Sequence, residues 1–257
     1  MTRFEAALCT VTFRSLRSAE IIALAREAGL AAIEWAGDAH VPPGNLENAA
    51  GVGRMSLEAG LAISYGSYIA PPTDDLKAFE QALETAETSG AANIRIWPGT
   101  RYRNSSDYTA EEVRSAAYLI RDMGAEAAKR KIAVSLEYHP NSLTDATDAA
   151  LRLIETIAHD NVYLYWQPRP GLPLDEALAE IGRIGHHVSH IHVFAWDRDG
   201  NRFALSSAEE YWRAVIDALP VSRWKGRRFA MLEFVAGDDP DAFRADAATL
   251  KAVLGGD

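Results

Sequence analysis

The chain has little cysteine, little excess positive charge and no long apolar run. Cys9 is the one cysteine among 257 residues, so no internal disulfide can form and a reducing, cytoplasmic setting is expected. Cys9 itself reads as a small buried filler in the first strand, not as a nucleophile. Lys and Arg number 26 against 36 Asp and Glu, a net charge of −10. Such a surface repels phosphate backbones, so nucleic acid is not an expected partner. No run of 18 apolar residues occurs, and the first residues, Met1 to Glu5, lack the apolar stretch of a leader, so no membrane partner is expected either. The turn after the first strand, Thr10 to Ser15, contains no glycine. That disfavours a dinucleotide site on a doubly wound sheet.

What is present is alternation. Strand-like runs fall at 4–10, 31–35, 61–66, 92–97, 132–137, 161–167, 188–194 and 228–234. Helix-like runs fall at 18–28, 45–59, 74–89, 110–130, 145–157, 174–184, 207–218 and 240–253. Helix starts carry their signals: Thr109 with Glu112, and Ser206 with Glu209, read as capping boxes, and Asp239-Pro240 as an N-cap followed by an N1 proline. Gly29 and Gly90 stand where the first and third helices should stop. With 48% apolar residues and no long linker, eight βα units predict a (β/α)₈ TIM barrel, an α/β fold filling 1–257 as a single domain.

Period-two reading gives the inward positions. In the fifth strand Ile132, Val134 and Leu136 share the helix-facing side, which turns Glu137 into the barrel. The same rule turns in Gln167, His190, His192 and Glu233, and on earlier strands Glu34, Ser64 and Arg95. Buried polar groups in such number must be paired, wet or bound to an ion. Glu137, Gln167, His192 and Glu233 stand at the tops of the last four strands, where barrels do their chemistry. Two carboxylates, an imidazole and an amide form a hard, oxygen-rich donor set. It suits a divalent metal such as Mn²⁺, with Mg²⁺ or Co²⁺ as alternatives, better than structural zinc. The structural alternative is an interior ion pair of Glu34 or Glu233 with Arg95.

These residues resemble a known family. The run Ala25 to Glu34, Leu136-Glu137, His190-Ile191-His192 and Leu232-Glu233 are similar to the xylose-isomerase-like TIM barrels of the sugar phosphate isomerase/epimerase type. The resemblance covers the whole chain. It implies a metal, commonly Mn²⁺, held by Glu, Asp, His and Glu on strands five to eight. It also implies a dimer or tetramer. Glu137, His192 and Glu233 match that pattern. Gln167 stands where the resemblance implies Asp, and the Asp-x-x-His of that strand is absent, which removes one negative charge.

The implied reaction is isomerisation or epimerisation of a small sugar, keto-sugar or polyol derivative, begun by removing a proton next to a carbonyl. Glu137 and Glu233 would move that proton. His40 and His139 in the βα loops are further acid–base candidates, because imidazole titrates near neutral pH. Asp38, Tyr68, Trp97, Arg101, Tyr102, Arg103, Tyr138, Asn141, Trp196 and Asp197 supply stacking faces and hydrogen-bonding groups for a carbohydrate. A lyase or dehydratase on a keto-sugar or inosose shares the same first step. A non-catalytic sugar-binding barrel and an endonuclease IV-like nuclease are the readings from other classes; the nuclease would need more metal ligands and a basic groove.

Overall fold

The structure is a computed structural model that describes residues 4–255. Met1, Thr2 and Arg3, part of the segment read for a leader, lie outside the described residues, as do Gly256 and Asp257 at the end of the expected domain. The strands are β1 (Phe4–Cys9), β2 (Ala32–Ala36), β3 (Ala62–Gly66), β4 (Asn93–Ile96), β5 (Ala133–Glu137), β6 (Val162–Trp166), β7 (Val188–Val193) and β8 (Arg228–Leu232). The helices are α1 (Ser18–Glu27), α2 (Leu46–Glu58), α3 (Leu76–Ser89), α4 (Ala110–Lys129), α5 (Thr147–Ile157), α6 (Leu174–Ile184), α7 (Glu209–Ala218) and α8 (Pro240–Val253). Each strand pairs in parallel with the next, and β8 closes on β1. The fold is a closed (β/α)₈ barrel, as the alternation predicted.

Two apolar layers follow from the strand alternation. Leu8, Ile33, Ile94, Val134, Leu136, Leu164, Trp166, Ile191 and Leu232 point outward and pack with the helices in one continuous core. Ala7, Cys9, Ala32, Ala36, Tyr165, Phe229 and Met231 fill the interior. Small side chains on β1 and β2 pack with Met231 of the adjacent β8 and Tyr165 of β6. The register is regular except for one irregularity between β6 and β7 at Leu164/Tyr165.

The helix signals are mostly borne out. Thr109 Oγ1 accepts from the Glu112 N–H, and Glu112 accepts from the Thr109 N–H, a complete capping box. Asp239 caps α8 ahead of Pro240. Gly29 and Gly90 adopt φ of +67° and +79° at the ends of α1 and α3. Ser206 is a correction. A 3₁₀ turn, Leu205–Ala208, precedes α7, whose N-cap is Ala208 without a side-chain bond. Leu205 is buried, and its N–H is held by Asp246 Oδ1 at 2.7 Å, so the chain is still turning inward where Ser206 would have capped.

Gly53 marks the tightest helix contact. A Cβ there would lie 2.3 Å from the backbone oxygen of Ser89, so α2 approaches the end of α3 only because that position has no side chain. Gly53→Ala should therefore destabilise the barrel by about 1–3 kcal/mol, although alanine is the better helix former. Urea unfolding measures this, and an unchanged midpoint would contradict the close approach.

Candidate active site

The polar residues turned inward by the strand pattern meet at one place. Arg95 on β4 is at its centre, 2% exposed. Its Nε donates to Glu34 Oε1 on β2 at 2.9 Å, and its Nη2 lies 2.8 Å from the same oxygen. Its Nη1 donates to Glu137 Oε2 at the end of β5. Ser64 Oγ on β3 and Cys9 Sγ on β1 also donate to Glu34, at 3.4 and 3.2 Å. From the other side, His192 on β7 places Nε2 3.4 Å from Glu34 Oε1. Its Nδ1 lies 2.6 Å from Gln167 Oε1 and 3.6 Å from Glu233 Oε2. One network thus joins residues from six strands, β1 to β5 and β7, with the residues that directly follow β6 and β8. The expected Glu34–Arg95 pair is present, and the second acidic partner of Arg95 is Glu137, not Glu233.

A glycine makes the central position available. Gly66 pairs in register with Arg95. A Cβ on Gly66 would lie 2.7 Å from Arg95 Nη2 and 3.3 Å from Glu34 Oε1. The guanidinium occupies the space that any other residue at 66 would take.

The electrostatics follow from burial and pairing. Burial works against ionised Glu34, but Arg95 and His192 outweigh it and hold that carboxyl well below the usual range. Burial disfavours the His192 cation as well, yet Glu233 and Glu34 raise its pKa. Burial pushes the Glu233 carboxyl up, and the neighbouring Glu137 adds to this while His192 opposes it. Burial, then the charges of Glu34 and Glu233, push the Cys9 thiol well up.

Cys9, His192 and Glu233 offer ligand atoms within 4.8 Å of one another, a group that could hold a metal ion. Cys9 belongs to this group although its expected role was packing alone; its signal is its inward register beside Glu34. Of the oxygen-rich quartet expected from the sequence, His192 and Glu233 belong to this group, while Glu137 and Gln167 are bonded elsewhere. Glu137 is bonded to Arg95, Gln167 Oε1 is bonded to His192, and both His192 nitrogens face partners. The buried side-chain polar atoms without a partner, among the described residues, are Trp97 Nε1, Asp145 Oδ1 and Tyr211 Oη. None belongs to the quartet, although the Glu233 carboxylate, 7% exposed, makes no side-chain hydrogen bond and stands 3.6 Å from His192 Nδ1.

The loop candidates divide. Both His40 nitrogens are committed, Nδ1 to Thr10 Oγ1 at 3.0 Å and Nε2 to the Phe13 carbonyl at 3.1 Å. His40 braces the β1–α1 loop and offers no free nitrogen for proton transfer. His139 packs its ring on Trp97 with centroids 4.3 Å apart, and Nδ1 bonds to the Pro140 carbonyl, which leaves Nε2 free. Arg103 is bound to Glu112 and so belongs to the α4 cap, and Tyr102 is 88% exposed. Tyr68 covers the centre, with the Arg95 guanidinium carbon 5.5 Å from its ring centroid. Arg101 donates to the Tyr68 carbonyl and Arg14 to its hydroxyl, while Arg14 also pairs with Asp38 at 2.6 Å. Arg14 was not among the sequence candidates; its one signal is its place in the first βα turn.

Comparison with known proteins agrees with this architecture. The profile described as "Xylose isomerase-like TIM barrel" matches residues 22–253. No curated protein sequence matches the chain. Among solved structures, the probable 3-DHS dehydratase AsbF from Bacillus anthracis superposes with a TM-score of 0.77 at 21% identity, covering 96% of this chain and 99% of its own. A D-psicose 3-epimerase gives 0.75 at 15% identity, covering 98% of this chain and 100% of its own. A xylose isomerase-like TIM barrel protein from Mycobacterium smegmatis, in complex with magnesium, gives 0.69 at 16% identity, covering 98% and 96%. At these identities the likeness is one of fold.

Below the site, His190 is wholly buried and its Nδ1 accepts from the Phe229 N–H at 3.1 Å. Burial lowers its pKa from 6.5 to about 3. The unfolded chain therefore takes up this proton first, and stability present above pH 6.5 is lost as pH falls toward 3. His190→Asn should flatten the fall in urea midpoint between about pH 7 and 4. Equal slopes in the two proteins would refute the assignment.

Proposed function

The chain belongs to the xylose isomerase-like TIM barrel family, and from that premise we propose that it is an isomerase or epimerase of a small sugar, keto-sugar or polyol derivative. The reaction moves a proton on carbon next to a carbonyl. The observation that carries this reading is a pair of buried carboxyl groups, Glu137 and Glu233, in unlike surroundings at the ends of β5 and β8. Glu137 is ion-paired with Arg95, while burial raises the Glu233 pKa. Two carboxyls in different environments give one group suited to accept a proton and one suited to hold it.

One carboxylate removes the proton from the carbon beside the carbonyl, and the electron pair passes to the carbonyl oxygen as an enediolate. The other carboxyl returns a proton, to the neighbouring carbon in isomerisation or to the opposite face of the same carbon in epimerisation. Arg95 and His192 provide positive charge where the oxygen becomes negative. Trp97, His139 and Tyr68 offer ring faces for the C–H side of a sugar, and Arg14, Asp38 and Arg101 lie on the loops beside them. The scheme is written with the chain's own residues alone; Cys9, His192 and Glu233 are the group that could hold an ion.

Loss of water by β-elimination is the second reading. It shares the enediolate, and the free Nε2 of His139 could donate a proton to a departing hydroxyl. The expected partner is a small carbohydrate in either case.

Glu137→Gln and Glu233→Gln should each lower turnover by at least about 100-fold while the urea midpoint stays within the range of a folded barrel. Solvent-deuterium incorporation into a panel of keto-sugars, followed by NMR, reads the proton transfer directly. A folded Glu233→Gln variant that exchanges deuterium at the wild-type rate would remove Glu233 from the mechanism.

A further inference from the structure

We propose that Arg95 supplies the cation of this site, and that the barrel mouth holds no resident divalent metal. The use of that charge rests on the proton-transfer reading above, but its location does not.

Two features of the sequence change the local charge in the same direction. Gln167 stands on the sixth strand where the family resemblance implies an aspartate, so an anion is lost. Arg95 points inward from the fourth strand and places a fixed cation against Glu137. Each of the two weakens the pull on a divalent ion.

The geometry shows where that cation sits. The guanidinium lies between Glu34 and Glu137, and Glu137 is one of the carboxylates expected to bind metal. An ion on that same carboxylate would sit beside a fixed positive charge in a dry interior, where like charges repel strongly. Gln167 is bonded to His192 and Cys9 to Glu34, which leaves Glu233, 3.6 Å from His192, as the one carboxylate of the expected set without a bonded partner among the described residues. Gly66 provides the clearance that lets the guanidinium stay there.

Guanidinium has five N–H donors; Nε and Nη1 are hydrogen-bonded to Glu34 and Glu137, and Nη2 lies against Glu34. The remaining N–H groups are available to a substrate oxygen. A planar, permanently charged group with free donors can stabilise an oxygen that gains negative charge as the neighbouring carbon loses its proton. Tyr68 closes over this group, so substrate would reach Arg95 beneath that ring.

The test uses the full-length protein, stripped with chelator and titrated with Mn²⁺ and separately with Zn²⁺. Calorimetry and elemental analysis read the stoichiometry. Wild type should retain no stoichiometric metal, and its turnover should be insensitive to chelator. The paired variant Arg95→Met with Gln167→Asp restores the expected anion and removes the cation, and should bind Mn²⁺ at least about 100-fold more tightly than wild type. If circular dichroism shows that the paired variant does not fold, the wild-type titration and Gln167→Asp alone decide. Near one ion per wild-type chain, retained through purification or taken up tightly on titration, would overturn the proposal. So would chelator-sensitive turnover restored by metal. Failure to find any turnover would count against the reaction and leave the metal result standing.

Discussion

A buried guanidinium held between two carboxylates is the constraint on which the upper barrel depends. Taking three charges out of water is costly, and the cost is recovered only when the geometry is tight and each lone pair finds a donor. Here β2, β4 and β5 deliver Glu34, Arg95 and Glu137 to one level, and the closed ring prevents them from drifting apart. Ser64, Cys9 and His192 then supply further contacts to Glu34. Phe229, Met231 and Tyr165 pack in the interior beside this polar layer, together with buried His190 and the hydrogen-bonded Asn93, Ser135 and Ser189. The low dielectric that makes the ion pairs strong also raises the pKa of Glu233. Stability and acid–base chemistry therefore draw on the same desolvation.

Much of this was legible in the sequence, and the reason is periodicity. Alternation along eight short strands determined which residues point inward, so Glu34, Arg95, Glu137, His192 and Glu233 could be placed in one interior before any coordinates. Element boundaries followed from caps and glycines, except at Ser206, where a tertiary bond from Asp246 governs the chain path. Pairing was less legible than placement. Alternation gives the face of a side chain but not its height across neighbouring strands, and the height decided that Arg95 bonds to Glu137 and not to Glu233. Loop residues were the least legible. His40 and His139 look alike in sequence, yet one is tied at both nitrogens and the other at one, a difference set by contacts with Thr10 and Phe13 that no local pattern encodes.

The mouth combines a rigid floor with a cover that side chains hold in place. Tyr68 adopts a left-handed backbone conformation, φ +60°, which a tyrosine takes only when its surroundings require it. Arg101 holds its carbonyl and Arg14 its hydroxyl, so two loops from opposite sides of β3 fix one ring above the guanidinium. The ring shields the charge cluster from water and presents its outer edge to whatever enters. Such a cover makes the polar floor more potent, because hydrogen bonds and ion pairs strengthen as water is excluded.

The clearance at Gly66 ties two positions of the chain together. Side-chain volume added at 66 would be volume taken from the guanidinium at 95, so position 66 is held to glycine for as long as the arginine stays. A lineage that exchanged the arginine for a shorter residue would release the glycine, and one that lost the glycine would have to give up the arginine. Glycine at the top of the third strand, with arginine two positions into the fourth, is thus a joint signature. Reading those two positions side by side in other barrels of this family would sort those with room for an internal guanidinium from those without it.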